Sequence, residues 1–197
     1  MNGTRRFSQA ISEGDGISFV AALEAAEQAR TAELAGAEAV LVWSGREQDL
    51  RALRETTSLP ILFYWDGEQA AALEGADACL VEVRGERDRA LLEHVHAELG
   101  DRFELALQIE DEEHLADALE DFDPAILVLA AREDGDEAPL ERVLDLLQDV
   151  PAGKLAIAQL PTLSGDDVAA LERAGVDGVI VAAGDVAALA GDAARSA

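Results

Sequence analysis

The 197-residue sequence is poor in cysteine, in basic residues and in aromatic residues. It holds one cysteine, Cys79, so an internal disulfide bond is excluded. No apolar run approaches the length of about 18 residues that a membrane-spanning helix needs. Residues 1–16 lack the long apolar stretch of a signal peptide. These absences predict a soluble protein of the cytoplasm.

Basic residues are outnumbered by acidic ones, 15 against 41, which gives a formal net charge of −26. Nucleic acids and anionic membranes would be repelled by this charge, so neither is expected as a partner. The acidic residues are spread over nearly every predicted helix and do not form a tail. Such dispersed charge is typical of proteins adapted to a high-salt cytoplasm, which is the interpretation that we favour. The alternative is a site for cations or for basic partners.

A recurring pattern organises the sequence. It consists of a helical segment that ends in glycine, a small or acidic residue, and an apolar run, and it occurs at 34–43, 73–83 and 173–183. The glycine is typical of a helix C-cap, and a continuous apolar run is typical of a buried parallel strand. Further runs typical of β-strands lie at 18–23, 59–65, 103–109, 124–130 and 154–160. The sequence therefore predicts eight strands.

Each predicted strand is followed by an amphipathic helical segment. This alternation fits either a closed barrel or a doubly wound sheet. No glycine-rich fingerprint follows the first strand, and eight is the strand number of the barrel. We therefore predict an α/β fold, a compact (β/α)8 TIM barrel with shortened βα loops. A single domain is expected over residues 1–197, with an N-terminal helical extension at 1–16, the barrel at 17–186 and a C-terminal helix or tail at 187–197.

Several short motifs resemble those of indole-3-glycerol phosphate synthase, a member of the ribulose-phosphate-binding barrels. The resemblance covers about residues 7–186. The motifs are Gly16–Ala21, Asp49–Arg54 with Ser58–Leu62, Gly75–Ala78, Glu110–Leu115, Asp166–Val168 and Ala174–Asp177. They belong to the scaffold, and several are shared among phosphate-binding barrels. The resemblance implies membership of that superfamily.

The residues that this family uses for catalysis are missing from the corresponding positions. The resemblance implies a glutamate and a lysine on the first strand, a lysine ending the third, a glutamate on the fifth, an asparagine on the sixth and Glu-Ser-Gly on the seventh. In this sequence the first strand has Ala22 and Glu24 at these positions, and the third has Tyr64. The fifth has Gln108, the sixth has Ala130 and Ala131, and the seventh has Gln159, Leu160 and Pro161. The family's glycine-containing phosphate loop after the eighth strand corresponds to Ala182 and Ala183, with Gly184 beyond them. An amide has no ionisable proton, so neither glutamine replaces a carboxylate as general acid or base.

The one lysine of the sequence, Lys154, begins the predicted seventh strand, at the end of the barrel opposite to the active site. We therefore predict a catalytically degenerate family member with no catalytic residues, no cofactor and no metal. His94 and His96 are two residues apart in a predicted helix, so their side chains are separated by about 200° around the helix axis. They therefore cannot bind the same metal ion. His114 and the acidic loop at 133–137 are weak metal signals, and Cys79 is predicted to be a small buried hydrophobe.

Aromatic residues cluster at the predicted C-terminal ends of neighbouring strands. They either plug the mouth of the barrel or form a patch for a partner protein or a flat ligand. With nearby polar residues they give the candidate ligand or partner contacts, which are Trp43, Tyr64, Trp65, Asp66, Arg84 and Arg132.

Two functional hypotheses follow. The first is a non-catalytic barrel that acts through protein contacts, as a partner subunit, a regulator or a homo-oligomer. The second is an enzyme with a changed active site, a lyase or isomerase of a small metabolite, with or without a phosphate group, built from Glu24, Tyr64, Asp66, Arg84, Asp111 and Arg132. An open polar pocket at the barrel mouth with convergent ionisable groups favours the enzyme, and a filled mouth favours the interaction module.

Overall fold

The structure, a computed structural model, describes residues 5–14, 16–65, 75–82, 103–132 and 137–196. Its strands are β1 (Ser18–Ala22), β2 (Ala39–Val42), β3 (Ile61–Tyr64), β4 (Ala78–Glu82), β5 (Glu104–Ile109), β6 (Ile126–Ala130), β7 (Leu155–Gln159) and β8 (Gly178–Ala182). Each strand pairs in parallel with the next, and β8 pairs in parallel with β1. The sheet is therefore a closed barrel, and the predicted (β/α)8 TIM-barrel fold is confirmed.

In the described ranges, helices follow β1, β2, β5, β6, β7 and β8 and cover the outside of the barrel. Those described are α1 (Arg6–Ser12), α2 (Gln28–Leu34), α3 (Glu47–Thr56), α4 (Glu112–Asp121), α5 (Pro139–Gln148), α6 (Gly165–Ala174) and α7 (Val186–Ser196). The helical segment predicted after β4, which contains His94 and His96, lies outside the described residues. None of the helices in the described ranges is long and apolar enough to cross a membrane.

The apolar side chains divide into an inner and an outer core. Val20, Leu41 and Leu80 belong to the cluster inside the barrel. Ala21 and Phe63 belong to the cluster between the strands and the helices. Because successive side chains of a strand point to opposite faces, every second residue of each strand faces the barrel interior. The position of a residue along its strand therefore decides whether its side chain points into the barrel or towards the helices.

Helix α1 closes the N-terminal end of the barrel. Its Phe7 and Ile11 are buried within the inner core. The carboxylate of Glu104, at the start of β5, accepts hydrogen bonds from the backbone N–H groups of Phe7 at 2.8 Å and Ser8 at 3.2 Å. A carboxylate in this position satisfies free N–H groups at the start of a helix. The C-terminal end of the barrel is thus the end left open for a site.

The recurring sequence pattern has a structural role at the start of two strands. The backbone N–H of Ile61 donates to Asp77 Oδ2 at 2.7 Å, and that of Ala156 donates to Asp177 Oδ2 at 2.8 Å. The glycine two residues before each aspartate is left-handed, with φ of +107° and +94°. At Gly175 this conformation ends helix α6, and at both positions the aspartate that follows lies against the neighbouring strand.

Candidate functional site

The last inward-facing side chains of the strands form a ring at the C-terminal mouth of the barrel. These residues are Ala22, Trp43, Tyr64, Glu82, Gln108, Ala130, Gln159 and Ala182. The positions over β8 and β1 carry alanine, those over β2 to β4 carry aromatic rings and a carboxylate, and those over β5 and β7 carry carboxamides. The polar groups of the mouth therefore lie on the arc from β3 to β7.

An aromatic pair and a buried carboxylate occupy the β2–β4 side. The rings of Trp43 and Tyr64 are half-buried, with centroids 5.2 Å apart and planes inclined at 49°. Tyr64 Oη donates a hydrogen bond to Glu82 Oε2 at 2.6 Å. The side chain of Glu82 is 8% exposed, and its Oε1 lies 3.6 Å from Nη2 of Arg132. One oxygen of this carboxylate is thus hydrogen-bonded to a phenol, and the other lies near a guanidinium.

Arg132 links this carboxylate to a second one, that of Glu110, which directly follows β5. Its Nε donates to Glu110 Oε1 at 3.1 Å, and its Nη2 lies 3.1 Å from Glu110 Oε2. Such a two-point contact fixes both planar groups in one orientation. Arg132 therefore faces two carboxylates, Glu82 and Glu110, and its positive charge is already compensated by the protein.

An open pocket of about 540 Å³ lies over β5, β6 and β7. Its volume is within the range of about 300–1,000 Å³ found for small-molecule sites. The lining residues are Gln108, Glu110, Ala130, Ala131, Arg132, Gln159, Leu160 and Pro161. The small side chain of Ala130, on the strand between the two glutamines, leaves the space between them open.

The carboxamide oxygens of the two pocket glutamines have no hydrogen-bond partner among the described residues. Gln108 is 7% exposed, and the buried Oε1 atoms of Gln108 and Gln159 accept no hydrogen bond within the described ranges. A buried polar group left in this state costs about 1–3 kcal/mol relative to a hydrogen-bonded one. Unpaired polar groups at the wall of a pocket indicate that another molecule completes their hydrogen bonding.

The loop and helix start that follow β7 are unsuited to a phosphate group. In this fold, phosphate commonly binds to loops after the seventh and eighth strands. Here Pro161 has no N–H to donate. The start of α6 is closed by its own capping box, because Ser164 Oγ accepts from the N–H of Asp167 at 3.2 Å and Asp167 Oδ2 accepts from the N–H of Ser164 at 2.9 Å. With Asp166 beside it, this helix start presents negative charge.

Three predicted site residues have other roles. Trp65 is 2% exposed and packs in the outer core, so the prediction that it contributes to an accessible contact surface is wrong. Tyr64 faces the interior, so the following side chain points out of the barrel. Glu24 is exposed in the turn after β1. Asp111 caps α4 by accepting from the N–H of His114 at 2.8 Å.

Other sequence predictions have mixed outcomes. Asp66, Arg84 and the loop at 133–136 lie outside the described residues. Cys79 is buried as predicted, and burial raises the pKa of its thiol to about 12. Lys154 lies at the N-terminal end of β7, where it pairs with Asp123. Among the described ranges, no group of histidine, cysteine, aspartate and glutamate side chains has the geometry of a metal site.

Sequence analysis did not identify Glu82 or the pairing of Glu110 with Arg132. The family resemblance directs attention to other strands and gives no role to the end of β4. The alternation of side chains along β4 could have identified Glu82. Ala78 and Leu80 face the barrel interior, so the next side chain that faces inward is that of residue 82.

No family model matches the sequence. Among solved structures, the thiamine phosphate pyrophosphorylase of Pyrococcus furiosus superposes with a TM-score of 0.66 and 16% sequence identity, over 91% of this chain and 96% of that chain. At this identity, the similarity shows the TIM-barrel fold. It does not support the narrower resemblance to indole-3-glycerol phosphate synthase.

Proposed function

We propose that this protein binds a small polar metabolite in the pocket over β5, β6 and β7. The observation that carries the proposal is the pair of glutamine side chains, Gln108 and Gln159, which line a pocket of about 540 Å³ and whose buried Oε1 atoms have no hydrogen-bond partner in the described part of the chain. A ligand that supplies these hydrogen bonds removes the cost of leaving them unmade.

A small molecule fits the mouth better than a partner protein does. Protein-docking surfaces present apolar patches with aromatic residues at their centre. Trp43 and Tyr64 are instead half-buried within the concave mouth. In the ranges that the structure describes, the large hydrophobic residue that is exposed is Leu34, on an outer helix. We therefore place the binding surface inside the barrel mouth.

The proposal does not include the formation of an indole ring. That chemistry needs a general acid and a general base over the pocket, and Gln108 and Gln159 provide neither. The ionisable groups that do converge, which are Tyr64, Glu82, Glu110 and Arg132, are bound to one another. The protein is thus proposed to be a barrel that binds a ligand at its C-terminal mouth and lacks the catalytic groups of indole-3-glycerol phosphate synthase.

The side-chain amides of the two glutamines provide a direct test. A fragment library is screened against ¹⁵N-labelled protein, and the side-chain NH₂ signals of Gln108 and Gln159 are assigned from Gln→Leu variants. We expect a group of fragments that shift both signals. These fragments should lose affinity for Ala130→Leu, which fills the space between the glutamines.

Ala152→Leu is the matched control, because Ala152 is exposed in the turn before β7, at the other end of the barrel. It should leave fragment binding unchanged. A screen in which no fragment shifts either glutamine signal would contradict the proposal, as would fragments that bind Ala130→Leu as well as the parent protein.

A further inference from the structure

We propose that the ligand of this pocket is an uncharged planar molecule with an amide edge, an N–H beside a C=O as in a lactam, a cyclic imide or a nucleobase, and that it carries no phosphate. This inference rests on the proposed function and specifies its ligand class.

The carboxamides determine the hydrogen-bonding pattern. A carboxamide presents a donor and an acceptor side by side in one plane. No described residue forms a hydrogen bond with the carboxamide of Gln108 or of Gln159. An amide edge of a ligand also holds a donor beside an acceptor, and it can satisfy both groups of one carboxamide at once. The same complementarity lets glutamine recognise the edge of adenine.

The remaining walls favour a flat ring. Ala130 and Ala131 line the pocket on β6, and Leu160 and Pro161 line it beyond β7. These side chains offer apolar surface without hydrogen-bonding groups, and the alanines are small. An aromatic or partly unsaturated ring would contact these walls with its faces and the carboxamides with its edge.

The charged side chains of the wall are paired with one another, which favours an uncharged ligand. Both oxygens of Glu110 are bound by Arg132, so this lining carboxylate is not left for a cationic ligand. Arg132 is in turn shared with Glu82, so two carboxylates compensate its positive charge. The carboxylates at the start of α6 and the net charge of −26 repel an anion further. A neutral ligand avoids both conflicts.

The experiment compares 2-pyridone with 1-methyl-2-pyridone, which differ in the N–H alone, by titration of ¹⁵N-labelled protein. Uracil, choline and inorganic phosphate are titrated in parallel. We expect 2-pyridone and uracil to shift the signals of Gln108 and Gln159, and the methylated compound to bind about tenfold more weakly or worse. Choline and phosphate should leave these signals unmoved.

Variants identify the responsible groups. Gln108→Leu and Gln159→Leu should each weaken 2-pyridone binding by about tenfold or more. Gln148→Leu, on the exposed face of α5, is the matched control and should not change it. If a leucine variant does not fold, Gln108→Glu or Gln159→Glu keeps the shape while removing the NH₂ donor, and the same loss is expected.

The outcomes separate the two proposals. Equal binding of the methylated and unmethylated pyridone overturns the ligand class. So does binding of phosphate or choline that is lost in Gln159→Leu, or a fragment screen whose pocket hits contain no amide edge; in these cases the proposed function stands. If no compound of any class binds at the two glutamines, both proposals are wrong.

Discussion

The two strand-linking aspartates allow a stability prediction with an internal comparison. Asp77 and Asp177 each accept a hydrogen bond from a backbone N–H of the preceding strand, at 2.7 Å and 2.8 Å. Replacement by alanine leaves that N–H without its acceptor, which costs about 1–3 kcal/mol. Both variants should therefore lower the free energy of unfolding by an amount in this range.

Asp77 has ionic partners in addition. Arg54 pairs with it while also donating to the backbone oxygen of Gly75 at 2.7 Å, and Arg6 lies 3.5 Å from it. The side chain of Arg54 is one-quarter exposed, so solvent screens the pair, and we assign it about 1 kcal/mol. Asp77→Ala should therefore be more destabilising than Asp177→Ala by about 1 kcal/mol, or about 2–4 °C in melting temperature.

Urea denaturation followed by circular dichroism measures both free energies of unfolding. Asp77→Asn keeps an acceptor for the backbone N–H but loses the charge, so it should cost less than Asp77→Ala. The reasoning is refuted if Asp177→Ala proves as destabilising as Asp77→Ala, or if Asp77→Asn costs as much as the alanine variant.

Three further predictions concern the thiol, the charge and helix α1. Cys79 should not react with Ellman's reagent in the folded protein, because burial raises the pKa of its thiol to about 12, and it should react once urea unfolds the chain; rapid reaction of the native protein would be inconsistent with this burial. With a net charge of −26, the melting temperature should rise markedly from dilute buffer to molar potassium chloride, since counterions relieve self-repulsion; a flat response argues against adaptation to high salt. Glu104→Ala should speed hydrogen exchange of the Phe7 and Ser8 amides by about tenfold, because both lose their carboxylate acceptor, and unchanged exchange would show that this contact does not hold α1.

The barrel was predictable from the sequence because its strands are local features. The run Leu105–Ile109 is apolar except for Gln108, and it lies within β5; Val179–Val181 follows a glycine-capped helix and lies within β8. Each such strand is buried on both faces and is bounded by its own helix cap, so that a short window of sequence specifies it. The count of eight then specified the closed sheet.

The site was less predictable because its contacts join distant parts of the chain. Arg132 and Glu110 are 22 residues apart and meet because β5 and β6 are neighbours in the closed barrel. The inward direction of Glu82 depends on the register of β4, which composition and family resemblance do not provide. Trp65 shows the same limit, since proximity to Tyr64 in sequence placed it at the rim whereas strand parity places it in the outer core.

The central claim, that Gln108 and Gln159 bind a small molecule at the barrel mouth, is tested most directly by a crystal structure of the protein with the tightest-binding fragment. We predict that the fragment lies over Ala130 and that both carboxamides form hydrogen bonds with it, at donor–acceptor distances of about 2.7–3.2 Å. A fragment bound elsewhere, with the two carboxamides turned to bond each other or water alone, would contradict the claim.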